Sequence, residues 1–264
     1  LSRKYEIRLK SGDEIEKIAR AGRVVATVLS RLEKAVEPGV TTLDLEGLAQ
    51  AVTAEMGAVP SFLGYRGYPA AICASVNDQV IHGIPNRIPL KEGDIVGIDF
   101  GACLDGFHAD SALTVPVGNI DENARRLLRT TEEALWRGIN MVQPGATIGD
   151  IGHAVQAHCE SAGYSVVREM VGHGIGRDLH ESPEVPNYGK PKNGVRLRKG
   201  MTICIEPMVN AGEPDIYTLP DGWTILTQDG RLSAHFEHTV AVTDNGVRVL
   251  TLRESPEQDG TARQ

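Results

Sequence analysis

The chain lacks a basic excess. It carries 27 Lys and Arg against 35 Asp and Glu, a formal charge of −8. That composition gives no electrostatic footprint for sequence recognition of nucleic acid. The adjacent pair Arg125-Arg126 reads as a solvated helix face. Cysteine is scarce too: Cys73, Cys103, Cys159 and Cys204 include no CxxC and sit in mostly apolar surroundings. A reduced, cytoplasmic protein with buried thiols is expected. No signal-peptide pattern opens the chain and no apolar run reaches bilayer length, so no membrane association is expected.

The chain has instead an internal duplication. Leu90-Lys91-Glu92-Gly93-Asp94-Ile95-Val96-Gly97-Ile98-Asp99 returns as Leu197-Arg198-Lys199-Gly200-Met201-Thr202-Ile203-Cys204-Ile205-Glu206. Both copies run from Leu through a glycine into an apolar stretch that ends in a carboxylate. The segment from Val36-Glu37-Pro38-Gly39 to Asp44 matches the one from Val142-Gln143-Pro144-Gly145 to Asp150 at nearly the same offset. Two matched segments, in order, describe two fused half-domains rather than a solenoid. The expected organisation is an N-terminal segment 1–10, a single catalytic domain 11–253 with half-repeats of about 11–118 and 119–253, and a disordered tail 254–264.

Each half begins with helices. Ser11 and Glu14 have capping-box spacing, and Ile15, Ile18, Gly22, Val25, Leu29 and Leu32 form one helical stripe that Pro38-Gly39 ends. Thr41 or Thr42 caps a second helix to about residue 56. Helices of about 121–141 and 148–161 repeat the pair. Residues 71–81, 95–117, 166–171, 202–210, 224–227 and 235–249 then read as strands. The fold class is α+β: two helices and a small antiparallel sheet, twice, with one face of each sheet free to line a cleft.

That cleft has acids to hold. Asp99 and Asp110 bracket the turn signal Asp105-Gly106. A turn centred on Leu104-Asp105 sets the two aspartates opposite each other; one centred on Asp105-Gly106 misses by a residue per strand unless a bulge restores it. Alone, Asp110 could as well face solvent. The repeat argues otherwise, because Glu206 mirrors Asp99 and Glu237 mirrors Asp110. Four acids in apolar strands cannot stay ionised without cations, and a pair of oxygen-ligated divalent metals answers that. His82, His173 and His180 lie among small residues in the same β portions, where glycines bring the backbone close to a ligand. His235 and His238 flank Glu237; strand alternation is expected to turn both away from it, so neither is a candidate.

Several motifs together carry a resemblance. They are the run Phe62-Leu63-Gly64-Tyr65-Arg66-Gly67-Tyr68-Pro69, Ser75-Val76-Asn77 with His82-Gly83-Ile84-Pro85, and Asp99-Phe100-Gly101 with Asp110. Gly172-His173-Gly174-Ile175-Gly176, His180-Glu181, Glu206-Pro207-Met208 and Phe236-Glu237-His238-Thr239 complete the set. Over roughly residues 11–250 the chain resembles the type I, bacterial methionine aminopeptidases of the pita-bread peptidase family.

The resemblance implies a pita-bread fold and two divalent metals, Co, Mn, Fe or Zn, on Asp99, Asp110, His173, Glu206 and Glu237. It implies Glu206 as general base, His180 as donor to the scissile carbonyl and His82 as contact to the amide nitrogen. The methionine pocket would comprise Phe62, Tyr65, Tyr68, Cys73 and Trp223, with Leu179 on its wall. Phe62 and Leu179 depart from the commonest bacterial pattern, Cys and Phe respectively. A monovalent cation near Asn77, Gln79 and Ser233, a monomeric state and a transient ribosome contact also follow from the resemblance. The implied substrate is the N-terminal methionine of nascent polypeptides with a small second residue. The loop 210–233 carries Glu213, Asp215, Asp221 and Asp229 against Arg231, so any ribosome contact is expected elsewhere. The same fold also serves Xaa-Pro aminopeptidases and non-catalytic binding proteins, the two alternatives. The first usually carry an extra N-terminal domain, which is not expected here; the second have lost ligand positions that this chain keeps.

Overall fold

The computed structural model describes residues 6–253. The first five residues of the expected N-terminal segment and the whole expected tail 254–264 lie outside the described residues. Each helix starts where a side chain can accept from its first free N–H groups. Ser11 and Glu14 close a capping box on α1 (Gly12–Ala35), as Thr41 and Asp44 do on α2 (Thr42–Glu55). Asp121 caps α3 (Glu122–Asn140), and Thr147 and Asp150 box α4 (Ile148–Ser161). The α1 stripe faces the core, with Ile18, Val25, Leu29 and Leu32 fully buried. Gly22 lies within it because a Cβ there would come within 2.0 Å of the Leu250 carbonyl oxygen.

The strands of the first half are β1 (Val59–Pro60), β2 (Cys73–Val76), β3 (Gln79–Ile81), β4 (Ile95–Leu104) and β5 (Phe107–Pro116). The second half supplies β6 (Ser165–Val166), β7 (Gly172–Gly174), β8 (Glu181–Val185), β9 (Thr202–Ile205) and β10 (Met208–Asn210). It continues with β11 (Ile216–Thr218), β12 (Ile225–Thr227), β13 (Ser233–His235), β14 (Glu237–Thr243) and β15 (Gly246–Val249). Between β6 and β7 the backbone is irregular, so the expected strand over 166–171 is not continuous.

The expectation of a separate small sheet in each half is corrected. Nine strands form one antiparallel sheet in the order β1-β4-β5-β14-β9-β7-β8, with β2 also on β4 and β15 also on β14. The halves join where β14 pairs β5, Glu237 opposite Ala112 and His238 opposite Ser111. Each half alone would leave that edge with bare N–H and C=O groups; pairing the two edges satisfies both. Three-stranded sheets β13-β10-β6 and β11-β12-β3 flank the main one.

The duplication is visible in detail. Gly39 (φ +98°) donates to the Leu90 carbonyl, and Leu90 to that of Val40; Gly145 (φ +90°) and Leu197 repeat both bonds with Leu197 and Ala146. The two Pro-Gly breaks therefore dock each helix pair onto the lead-in to β4 and to β9. With α1 packed on β4 and β5, and α3 on β9 and β14, the helices cover one face of the main sheet. Ile98 and Phe100 point into that helical core. Asp99 between them must point the other way.

Candidate active site

The hairpin turn falls on Asp105 (φ +52°) and Gly106 (φ +74°), the two left-handed positions that a tight hairpin of this twist requires. Leu104 pairs Phe107, and the register runs unbroken to Ile95 opposite Pro116. Asp99 therefore stands opposite Ala112 and Asp110 opposite Gly101. The head-on pairing of the two aspartates is thus corrected to a diagonal one, with no bulge. Gly101 makes the diagonal work. A Cβ there would lie 3.3 Å from Asp110 Oδ1 and 2.9 Å from the Phe62 ring, so a larger residue would press on both, and glycine leaves the carboxylate its room.

In the second half, β9 pairs β14 with Ile205 opposite His238, and β10 pairs β13 with Met208 opposite His235. The same register bridges the gap between them and sets Glu206 opposite Glu237. Carboxylate oxygens of Asp99, Asp110 and Glu237 lie within 4.8 Å of one another. Thr239 clasps the halves: its hydroxyl donates to the Asp110 carbonyl (2.7 Å) and accepts from the Asp110 N–H (3.0 Å).

Four buried oxygens here have no hydrogen-bond partner: Asp99 Oδ1, Asp110 Oδ1, Glu206 Oε1 and Glu237 Oε1. Burial first, and the neighbouring acids second, push Asp99, Glu206 and Glu237 far above the ordinary carboxylate range. Burial raises Asp110 to about 7. Leaving even one ionised carboxylate buried and unpaired costs several kcal/mol. A donor set of four oxygens and an imidazole fits divalent cations, which would answer all four orphaned atoms at once.

The imidazole is His173, on β7 beside β9. Its Nδ1 lies 2.9 Å from the Gly174 carbonyl oxygen, which requires the proton on Nδ1 and leaves Nε2 bare, 3.5 Å from Glu206 Oε1. That is the tautomer a metal ligand needs. Burial holds His173 near 4 and therefore neutral. His180 stacks on Tyr65 (centroids 5.2 Å) and lies 4.1 Å from the His173 ring. Tyr65 Oη sits 2.8 Å from His180 Nδ1; with the phenol donating, His180 Nε2 carries the proton and can donate in turn. His82 (φ +59°) closes the opposite side edge-on to Trp223, its pKa lowered to about 4 by burial.

Beside the acids lies a small apolar cluster separate from the main core. It contains Phe62, Tyr68, Ala70, Cys73, Ile175, Leu179 and Cys204, with Tyr65, Ile84 and Trp223 against it. Cys73 pairs Asp99 across β2 and β4, so this cluster abuts the acids directly. Tyr68 packs edge-on to Trp223 at 5.1 Å, its hydroxyl 3.0 Å from the carbonyls of Ile72 and Gly83. The structure thus gathers Phe62, Tyr65, Tyr68, Cys73, Leu179 and Trp223 in one place. It adds Ile175 and Cys204, which the sequence reading missed. Their signal was position: Ile175 follows His173 by two residues and Cys204 precedes Glu206 by two.

His235 was also missed, and its exclusion is corrected. His238 follows Glu237 by one residue and does face away, its Nδ1 2.9 Å from the Thr251 hydroxyl. His235 precedes Glu237 by two residues, and a step of two returns a side chain to the same face. One of its ring nitrogens lies within 4.8 Å of carboxylate oxygens of both Glu206 and Glu237. The segments named for a monovalent cation do meet, with Ser233 N–H donating to the Asn77 carbonyl at 2.9 Å. A groove of about 1150 Å³ runs from His173 and His180 past Pro183 towards Tyr188 and the segment around Arg8.

A cluster of buried acids able to hold metal ions, on a duplicated α+β scaffold, is compatible with a metallopeptidase, and comparison with known proteins shows that class. The model of metallopeptidase family M24 matches residues 16–244, and the chain belongs to that family. It is 48% identical to methionine aminopeptidase 1 of Bacillus subtilis over 242 residues, 92% of this chain and 98% of that one. It is 47% identical to the methionine aminopeptidase of Escherichia coli K12, over 94% of this chain and 95% of that one. The solved methionine aminopeptidase of Rickettsia prowazekii superposes with a TM-score of 0.92 at 43% identity, covering 94% of this chain and all of that one. The prolidase of Pyrococcus furiosus gives 0.76 at 24% identity over 66% of its length, a likeness of fold alone.

Proposed function

We propose that this chain is a methionyl aminopeptidase that removes the N-terminal, initiator methionine from nascent proteins and peptides whose second residue is small. The observation that carries the proposal is the adjacency of the buried, partnerless acids to the apolar cluster, whose Cys73 stands opposite Asp99 across β2 and β4. A cut at the first residue needs both: charge to hold a free amine, and a dead-end pocket for one side chain. An aromatic-lined pocket suits a flexible thioether. The relatives named above, matched over almost their full length, support the same reading.

Asp99, Asp110, His173, Glu206 and Glu237 would hold two divalent ions. When bound, such ions lower the pKa of water so that hydroxide is available near neutral pH. Glu206 would take the proton of the attacking water and deliver it to the leaving amine; beside bound cations its carboxylate is ionised and able to do so. His180 Nε2–H would donate to the scissile carbonyl oxygen and hold it as negative charge develops. His82 would contact the amide nitrogen at the cut. Asp99 would receive the substrate's free α-amine. The groove past Pro183 would lead the rest of the peptide away.

Action as a monomer is part of the same proposal. No described helix is long and apolar enough to cross a membrane, and a nascent-chain substrate would place the enzyme in the cytoplasm. Two of the four acids of the 210–233 loop serve local turns, Asp221 accepting from Trp223 and Thr224 and Asp229 from Glu213. Ribosome contact, if transient and electrostatic, would then use another surface; loop-confined substitutions that abolish co-sedimentation would count against this. A monovalent cation beside the Asn77 carbonyl belongs to the same proposal.

The test is hydrolysis of Met-Ala-Ser by chelated protein before and after Mn²⁺ or Co²⁺, with Met-Lys, Pro-terminated and Xaa-Pro peptides as controls. Metal-restored release of free methionine, far faster from Met-Ala than from Met-Lys, is expected. Release from Xaa-Pro peptides alone would overturn the methionyl assignment.

A further inference from the structure

His235 is an imidazole beside the acids for which the proposed reaction has no use. It ends β13 opposite Met208 and is only 4% exposed. Its backbone is fixed from the other half of the molecule: its N–H donates to the Thr114 hydroxyl, and that hydroxyl donates to its carbonyl, each at 2.9 Å. The ring therefore cannot withdraw by a backbone shift. Its Nε2 is buried and has no hydrogen-bond partner. A ring nitrogen and one oxygen each from Glu206 and Glu237 lie within 4.8 Å of one another, and each of these carboxylates also carries a partnerless buried oxygen.

Three ligand atoms converging from three side chains, each of which carries a partnerless buried atom, have a simple common answer. Nitrogen and oxygen ligands sit about 2.0–2.2 Å from a first-row divalent ion, so ligands on opposite sides of it are about 4.0–4.4 Å apart. The trio's separations, none above 4.8 Å, come close to that span, and side-chain torsions absorb the difference.

We propose that His235 supplies a further imidazole nitrogen to the divalent ion that Glu206 and Glu237 hold. This rests on the metallopeptidase reading above and extends it. That side of the site then carries two imidazoles, His173 and His235, rather than one. Imidazole suits Zn, Fe, Ni and Cu, whereas carboxylate-rich sites suit Mn and Mg. The extra nitrogen therefore tilts metal choice away from Mn²⁺.

The experiment uses the full chain labelled with ¹⁵N-histidine and loaded with Mn²⁺, read by electron–nuclear double resonance. The wild-type protein should show two directly coordinated imidazole nitrogens and His235→Gln one. Competition between Zn²⁺ and Mn²⁺, followed by metal analysis, should lose roughly 10- to 100-fold of the Zn²⁺ preference in the variant. One coupled nitrogen in the wild type overturns the proposal, and needs no variant to fold. An unchanged metal preference in a folded His235→Gln also overturns it. Methionine release from Met-Ala-Ser by the same samples separates the two readings. Release with one nitrogen removes the role of His235 and leaves the aminopeptidase standing. No metal bound and no release removes both.

Discussion

The two halves deliver their acids differently. In the first, Asp99 and Asp110 sit on one continuous hairpin closed by a two-residue turn. In the second, β9 and β14 are separated in sequence by β10 to β13, and that excursion carries Trp223 and His235. The first pair is diagonal, with a glycine facing Asp110; the second pair is directly opposed. A short aspartate on a rigid ladder has almost no freedom, whereas a glutamate has one more torsion. The duplicated scaffold thus provides a fixed wall in one half and an adjustable one in the other. Metal position should depend most on the first, and chemistry and selectivity on the second.

The sharpest break of that comparison is Glu206→Gln. It should lower kcat by about 10²–10⁴-fold, the range for loss of a general base, with an unchanged far-ultraviolet spectrum. A folded variant of near-normal kcat would remove Glu206 from that role. Asp110→Asn should act on the wall instead: metal affinity, titrated by calorimetry, should fall by more than the roughly 10- to 100-fold typical of groups that only support a ligand. A smaller loss than from Glu206→Gln would reverse the assignment of rigid and adjustable sides.

Removing the metals should expose the cost of packing the acids together. Asp110 has a folded pKa of about 7 against an ordinary 3.8. A raised value means that the folded state holds its proton more tightly than the unfolded chain. The chelated protein should therefore be most stable near pH 4 and lose stability as pH rises to 7. Its Tm, followed across that range, should fall, and saturating Mn²⁺ should flatten the slope. A flat profile in the chelated protein would show that the acids relieve one another without cations. The smallest effect is expected from Gly101→Ala, whose Cβ presses the Phe62 ring and the Asp110 carboxylate. KM for Met-Ala-Ser should rise a few-fold with kcat nearly kept, because the pocket wall can yield.

Local chemistry was legible in the sequence. The Ser11–Glu14 box marked the start of the first helix because its contacts span three positions, and the repeat placed the later starts within a residue. The duplication pointed to four acids that the structure brings to one face. What the sequence did not carry was pairing between distant edges. No local pattern says that β14 will lie on β5 rather than close a sheet of its own. The hairpin centre was ambiguous by one residue because Leu104-Asp105 and Asp105-Gly106 each leave an alternating pattern behind. His235 is a different case: parity already placed it beside Glu237, and its omission was an error of counting. Cys204 and Ile175 reach the pocket from strands that only the sheet brings near Phe62 and Tyr68.

The Thr239 clasp has a consequence in time. Its hydroxyl serves Asp110 from a position 129 residues later in the chain. At a synthesis rate of roughly 5–20 residues per second, Asp110 is made roughly 6–26 s before the residue that secures it. Glu237 arrives in the same late strand. A growing copy therefore carries half of its acids for many seconds with nothing to complete them. The centre comes into being only when most of the chain has been made, so no growing copy can trim its own first residue early in its synthesis.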